Sequence, residues 1–181
     1  MRGAEAILRK SKLLGEDVLV KERISKGYRV KKLDERLRRE RTRSEARLLH
    51  KAKVAGVPCP TVLEVDDFSI TISVIHGERP SMTKAQCTEC GKMLAKLHAA
   101  DIIHGDFTPA NVLKERGRLY VIDFGLGFIS KDIEDKAVDV FTMLRAISEN
   151  DSFLKGYKSY AKSGSVLKRV RDVEGRVRYA N

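Results

Sequence analysis

Apolar and polar residues alternate through "VLVKERI", with Val18 and Val20 on one face and Leu19 and Lys21 on the other, the period of a strand. Upstream, "GAEAILRKSKLLGED" reads as a turn, a first strand and a Gly-containing turn leading into it. From Asp34 to Ala55 neither Gly nor Pro interrupts "DERLRRERTRSEARLLHKAKVA", which predicts a long helix over 34–55, with Asp34 as N-cap and Gly56 as its stop. "VPCPT" breaks the chain, and "VLEVDDFSITISVIHG" reads as two strands joined at Asp66 and Asp67. Apolar or small residues at 87, 90, 91, 94, 97 and 98 mark one helix face, and Thr83 with Gln86 forms a capping-box pattern ahead of it. "NVLKERGRLYVIDFG" predicts a short hairpin turning at Gly117, and "IEDKAVDVFTMLRAISEN" and "SFLKGYKSYAKS" the last two helices. The pattern divides the chain into a strand-rich lobe with one long helix (1–72), a connector (73–80), a helical lobe (81–162) and a basic tail (163–181).

Composition narrows this only a little. Of 181 residues, 42% are hydrophobic and 34% charged, which describes a soluble globular chain. The longest apolar-leaning run, "FSITISVI", carries three hydroxyl residues and falls well short of the roughly 20 residues of a membrane span. The first ten residues lack a signal-peptide core, so a cytoplasmic protein is expected. The net charge of +11 favours a polyanionic partner, against the plainer reading of a solvated basic surface. The excess is concentrated: residues 26–53 hold 12 basic and 4 acidic side chains, and the tail adds Lys168, Arg169, Arg171, Arg176 and Arg178. Cys87 and Cys90 fall on the apolar helix face and have no second pair, so buried thiols are expected there, not a metal site.

The chemistry lies in "HGDFTPANVL" and "VIDFG". Asp106, in a loop, is placed to accept a hydrogen bond from an attacking hydroxyl and take its proton late in the reaction. Phosphoryl transfer has a loose transition state, so such positioning outweighs strong base catalysis. Asn111 offers a carbonyl oxygen and Asp123 a carboxylate, hard donors that suit Mg²⁺, and the hairpin between them returns the second donor beside the first. Each residue alone is weak evidence, since an Asp in a loop is usually a turn former. The joint spacing is specific.

These motifs resemble the catalytic and magnesium loops of the protein-kinase superfamily. The resemblance implies an α+β fold of the minimal bilobal kinase type, ATP and Mg²⁺ as cofactors, Asp106 as catalytic base, and Asn111 and Asp123 as metal ligands. It further matches Lys21 to the strand lysine that contacts nucleotide phosphates, Glu45 to its helix partner, and Asp139 to the helix aspartate that anchors the catalytic-loop backbone. Two departures agree with each other. Gly105 replaces the arginine that senses activation-loop phosphate, and Asp139 follows Asp123 by only sixteen positions, too few for an activation and peptide-docking segment.

"GAEAIL", "VLVKERISKGYRVKKLDERLRRERTRSEARLL", "HGDFTPANVL", "VIDFGLGFIS" and "EDKAVDVFTMLRA" together resemble the small atypical serine/threonine kinases of the KEOPS (EKC) complex, the PRPK-like, RIO-related lineage. The resemblance covers nearly the whole chain. It implies ATP hydrolysis or autophosphorylation and association with the threonylcarbamoyl-transferase and other KEOPS subunits. It makes Gly3, Ala4, Glu5 and Ala6 the phosphate-covering loop and puts the backbone of Ser73 and Ile75 against adenine. The basic helix and the tail, through Arg169 and Arg171, are then expected to contact tRNA by shape and phosphate recognition. The competing readings are a small-molecule kinase of the choline or aminoglycoside type and a degenerate kinase serving as a scaffold.

Overall fold

A computed structural model describes residues 6–179. The first lobe is a four-stranded antiparallel sheet of order β1-β2-β4-β3, built from Ala6–Leu13 (β1), Glu16–Arg23 (β2), Val62–Val65 (β3) and Ser69–Ser73 (β4). Helix α1, Lys31–Val54, packs on this sheet through Leu48, Leu49 and Ala52, which join Ile70 and Ile72 in the core. The register sets Lys21 of β2 opposite Ile70 of β4. Helix α1 begins three residues before the predicted start, and Asp34 is not its N-cap. Val30 holds that position with no side-chain cap bond, while Asp34 is buried within the first turn (1% exposed). The reason is a stronger local use of the carboxylate: it accepts from the Lys26 amide (3.2 Å) and Arg38 Nε (2.9 Å).

After β4 the connector is stitched to the second lobe, where Glu78 and Lys114 exchange backbone bonds of 3.1 and 2.8 Å. Helix α2 (Lys84–Ala99) opens with the Thr83–Gln86 capping box formed in both directions. It is followed by β5 (Ile102–Ile103), a 3-10 turn over Pro109–Asn111, the β6–β7 hairpin (Val112–Glu115 and Arg118–Val121), and β8 (Phe128–Ile129), which pairs with β5. Helices α3 (Ile133–Leu144), α4 (Asn150–Tyr157) and α5 (Ser163–Tyr179) complete the lobe.

Helices α2 and α4 cross with almost no gap. A Cβ on Gly156 would stand 2.0 Å from the Thr88 carbonyl oxygen, and one on Gly91 2.1 Å from that of Phe153. Only hydrogen side chains allow this approach. Residues 163–179, expected as a basic tail, form a helix instead. Val166 and Val170 lie one turn apart, are buried, and pack α5 on α3, a two-residue apolar stripe that the surrounding charges hide in the sequence. Among the described residues, no helix is long and apolar enough to cross a membrane.

Candidate active site

Period two in β2 sends Lys21 and Arg23 to the same face, toward Glu45 of α1. Glu45, 2% exposed, divides its carboxylate between them: Lys21 Nζ donates to Oε1 at 2.6 Å and Arg23 to Oε2 at 2.6 Å. Lys21 Nζ also donates to Asp123 Oδ1 at 2.7 Å, so one ammonium ties the long helix of the first lobe to the loop after the hairpin of the second. Asp123 has a φ of +61°, unfavourable for a residue with a side chain, and its Oδ1 accepts the Gly125 amide at 3.1 Å. Burial acts to raise the Asp123 pKa, but the Lys21 charge and its hydrogen bond hold it below the ordinary carboxylate value.

The adjoining loop presents Asp106. Asn111 Nδ2 donates to both its Oδ2 (2.8 Å) and its backbone oxygen (2.9 Å). Since the amide nitrogen of Asn111 is occupied in this way, its oxygen is the atom left to face a cation. The two loops are laced together, with the Ile122 amide donating to the Asn111 backbone carbonyl oxygen at 2.9 Å. His104 adds a second tie. Its Nε2 donates to the Ile122 carbonyl (3.1 Å), and its Nδ1 accepts from the Asp106 amide (3.3 Å), partners that define its tautomer.

Behind both loops stands Asp139 of α3, 1% exposed. Oδ2 accepts the His104 amide (2.6 Å) and Oδ1 the Gly105 amide (2.8 Å). His98, fully buried, reaches Asp139 Oδ2 through Nε2 at 3.4 Å and accepts at Nδ1 from the Tyr157 hydroxyl at 2.7 Å. Gly105 itself is sterically required: its φ is +79°, and a Cβ there would lie 2.4 Å from the Leu126 carbonyl oxygen. The short segment after Asp123 occupies the space an arginine would need.

Burial is the main cause holding the pKa of His98 and His104 below the ordinary 6.5, with Asp139 opposing it at both. A folded-state value below the unfolded one means that the unfolded chain binds more protons as pH falls. The stability these neutral rings contribute is therefore complete above pH 6.5 and is lost as pH drops from there toward their folded values. The urea midpoint should fall between about pH 7.5 and about pH 5.5, each ring costing up to about 1.4 kcal/mol per pH unit. A flat midpoint across that interval would contradict the buried neutral assignment.

An apolar cavity of about 120 Å³ is lined by Leu8, Leu19, Leu49, Ile72, Leu113 and Ile122, together with Ser73 and Ile75 of the connector and with Lys21, Glu45 and Asp123 of the charged cluster. A larger open groove of about 990 Å³ runs on another side of Ser73, past His76, Glu78 and Glu115, and touches none of the charged cluster. Ala6 opens β1 opposite Arg23; Gly3, Ala4 and Glu5 lie outside the described residues. Ser73 is engaged with Thr61, its amide donating to the Thr61 oxygen and its hydroxyl accepting the Thr61 amide, both at 2.9 Å. Arg169 is held by Glu134 and lies 3.5 Å from Asp172, whereas Arg171 is exposed. All three cysteines are free and buried, with burial pushing Cys59 up to about 11 and Cys90 to about 12, values of inert thiols. No cluster of three or more His, Cys, Asp or Glu able to hold a metal by themselves occurs among the described residues. A site with few protein donors is what Mg²⁺ uses when phosphate oxygens and water complete its shell.

Arg23 is the participant that the sequence analysis missed. In a run with twelve basic residues close by, nothing but its i+2 spacing from Lys21 distinguishes it. Replacing it with Met leaves one buried Glu45 oxygen without its cation, which should cost about 3 kcal/mol and raise the KM for ATP as Glu45 loses its fixed position. Unchanged urea midpoint and KM would make the pair incidental.

Two lobes joined by one connector, with a lysine–glutamate pair, a loop Asp–Asn pair and a second Asp at the cleft, define a protein-kinase-like phosphotransferase. The chain belongs to the RIO-domain family, which residues 16–143 match. The probable serine/threonine-protein kinase BUD32 homolog of Archaeoglobus fulgidus is 44% identical to it, over 91% of this chain and 89% of that protein. The probable bifunctional tRNA threonylcarbamoyladenosine biosynthesis proteins of Methanosarcina mazei and Methanocaldococcus jannaschii are 40% and 39% identical. The alignments span 92% and 98% of this chain but only 32% and 36% of those proteins. In structure, the chain resembles the Rio2 kinase from Chaetomium thermophilum in its ADP/Mg²⁺-phosphoaspartate complex (TM-score 0.70, 15% identity, 99% of this chain and 69% of that one). It also resembles the macrolide 2'-phosphotransferase MphH from Brachybacterium faecium (TM-score 0.66, 16% identity, 94% and 79%). At such identities these two likenesses establish the fold alone.

Proposed function

We propose that the chain is an ATP-dependent atypical serine/threonine kinase and ATPase of the cytoplasm. In this reading it autophosphorylates or hydrolyses ATP and thereby regulates the threonylcarbamoyl-transferase subunit of a KEOPS-type assembly that modifies tRNA. The observation that carries the chemistry is Lys21 bridging Glu45 and Asp123 at 2.6 and 2.7 Å, beside the Asp106–Asn111 pair. Lys21 is held to meet nucleotide phosphates, and Glu45 keeps it there. Asp106 orients the acceptor hydroxyl or water and takes its proton. Asp123 and the Asn111 amide oxygen are the donors for Mg²⁺, and Ser73 and Ile75, which line the cavity, meet adenine through their backbone. Magnesium ATP supplies the phosphoryl group and neutralises its charge when bound; positioning is the protein's task.

The names of the relatives support the tRNA context, and the bifunctional ones carry the homologous segment within a chain about three times as long. In the family reading that longer chain includes the transferase. The basic α1 and the α5 helix are the surfaces for tRNA; with Arg169 held by Glu134, the contact at α5 rests on Lys168 and Arg171, both exposed. The test is phosphate release and self-phosphorylation with magnesium ATP, for the chain alone and then with the transferase subunit and tRNA. Turnover that changes when either is added supports regulation within an assembly. Turnover indifferent to both identifies an independent kinase, and its complete absence identifies a scaffold.

A further inference from the structure

The motif "SKGYR" between β2 and α1 has no part in the phosphoryl-transfer site, yet its loop is strongly built. Buried Asp34 accepts the Lys26 amide at 3.2 Å and has an Arg29 nitrogen 3.6 Å away, and the Arg29 amide donates to the Lys26 oxygen at 3.0 Å. Arg38, bonded to the same carboxylate, donates to the Arg23 carbonyl (3.2 Å) and lies over the Phe68 ring (3.9 Å to its centre). A loop pinned in this way would be expected to tuck its aromatic residue inward. Instead Tyr28 is 79% exposed, with the Arg29 guanidinium 5.3 Å from its ring centre.

Its surroundings are cationic. Residues 23–41 carry nine basic and three acidic side chains, and Lys31 and Lys32 open α1 behind Val30, whose side chain offers no cap. The Tyr28 ring contributes nothing to the core and lies open to a partner.

We propose that Tyr28 is a stacking platform for an unpaired RNA base, with the exposed Lys31 and Lys32 holding the flanking phosphates. The proposal rests on the RNA reading above and deepens it, from a diffuse basic surface to single-stranded recognition. A solvent-facing aromatic ring beside a guanidinium, within a cationic surface, is the combination that binds single strands with little regard to sequence. An acidic polypeptide would satisfy the charges, but its acidic side chains carry no aromatic ring to stack on Tyr28. The α1 helix start adds oriented amides favourable to a phosphate.

The experiment is fluorescence anisotropy of the full chain with a labelled single-stranded RNA oligonucleotide and with an RNA duplex of the same length, across a salt series. Tyr28→Ala should weaken single-strand binding about tenfold, leave the salt slope unchanged, and leave duplex binding alone. Tyr28→Phe keeps the π-face and should stay within about twofold of wild type. Lys31→Glu with Lys32→Glu should weaken both ligands and flatten the slope. ATP turnover of Tyr28→Ala, unchanged, confirms the fold. If Tyr28→Ala binds the single strand as wild type does, the platform is refuted while the RNA reading stands. If wild type binds neither RNA, both fall. If polyglutamate displaces the single strand and itself depends on Tyr28, the surface is for an acidic protein, and the proposal is overturned.

Discussion

Phosphate release from magnesium ATP falls at least about tenfold, and toward a hundredfold, when Asp106 is replaced by Asn, and by a comparable factor when Asp123 is replaced by Ala. The two losses should differ in kind. Asn at 106 keeps the shape of the side chain, and the backbone oxygen that also accepts from Asn111 is untouched. In the proposed mechanism what disappears is the charge that orients an acceptor and takes its proton, so kcat should fall while the KM for ATP stays near its original value. Ala at 123 removes the proposed metal donor and the second partner of Lys21, leaving Lys21 with Glu45 alone. The KM for ATP and the magnesium requirement should then rise together with the fall in kcat. Thermal melts of both variants close to that of the unaltered protein would place the effect in chemistry. Turnover within twofold of normal in either variant would remove that residue from the mechanism.

Gly156→Ala should lower the melting temperature by roughly 8 °C. In a helix interior Ala is intrinsically better than Gly by about 1 kcal/mol, so propensity alone predicts a rise. The crossing reverses the sign. The new methyl would stand 2.0 Å from a backbone carbonyl of α2, and a backbone cannot step aside as a flexible side chain can. The helices have to separate by more than 1 Å, at an overpacking cost of about 3–4 kcal/mol, for a net loss of about 2–3 kcal/mol. The separation also reaches the site. Tyr157, adjacent to Gly156, bonds His98; His98 faces Asp139; and Asp139 holds the amides of His104 and Gly105. Activity per folded molecule should fall as well. A melting temperature raised by the substitution would mean that the two helices do not cross this closely.

The strands and helices that bring the charged cluster together were legible because their signals are local. Alternation in "VLVKERI" orients Lys21, and the unbroken run after Asp34 makes a helix long enough to carry Glu45 across the sheet. A hairpin turning at Gly117 returns Asp123 toward Asn111. Signals that depended on distant partners were not legible. Asp34 has the identity and position of an N-cap, yet residues eight before and four after it claim its carboxylate. In α5 two buried valines among many charges were too sparse to outweigh the polar composition, and they make a helix only because α3 offers them a surface. Arg169 belongs by charge to a basic tail, but Glu134, thirty-five residues earlier, engages it.

The sequence by itself determined which residues can do chemistry and which local elements carry them, because hydrophobic period, turn residues and motif spacing act over a few positions of chain. Only the tertiary structure decided which charges are shared. It gave Glu45 two cations instead of one, assigned Arg23 to the site, put a carbonyl where an arginine at position 105 would go, and left Tyr28 in solvent on a rigid loop. Such choices depend on burial and on contacts between residues far apart in sequence, where a charge must be paired or remain hydrated.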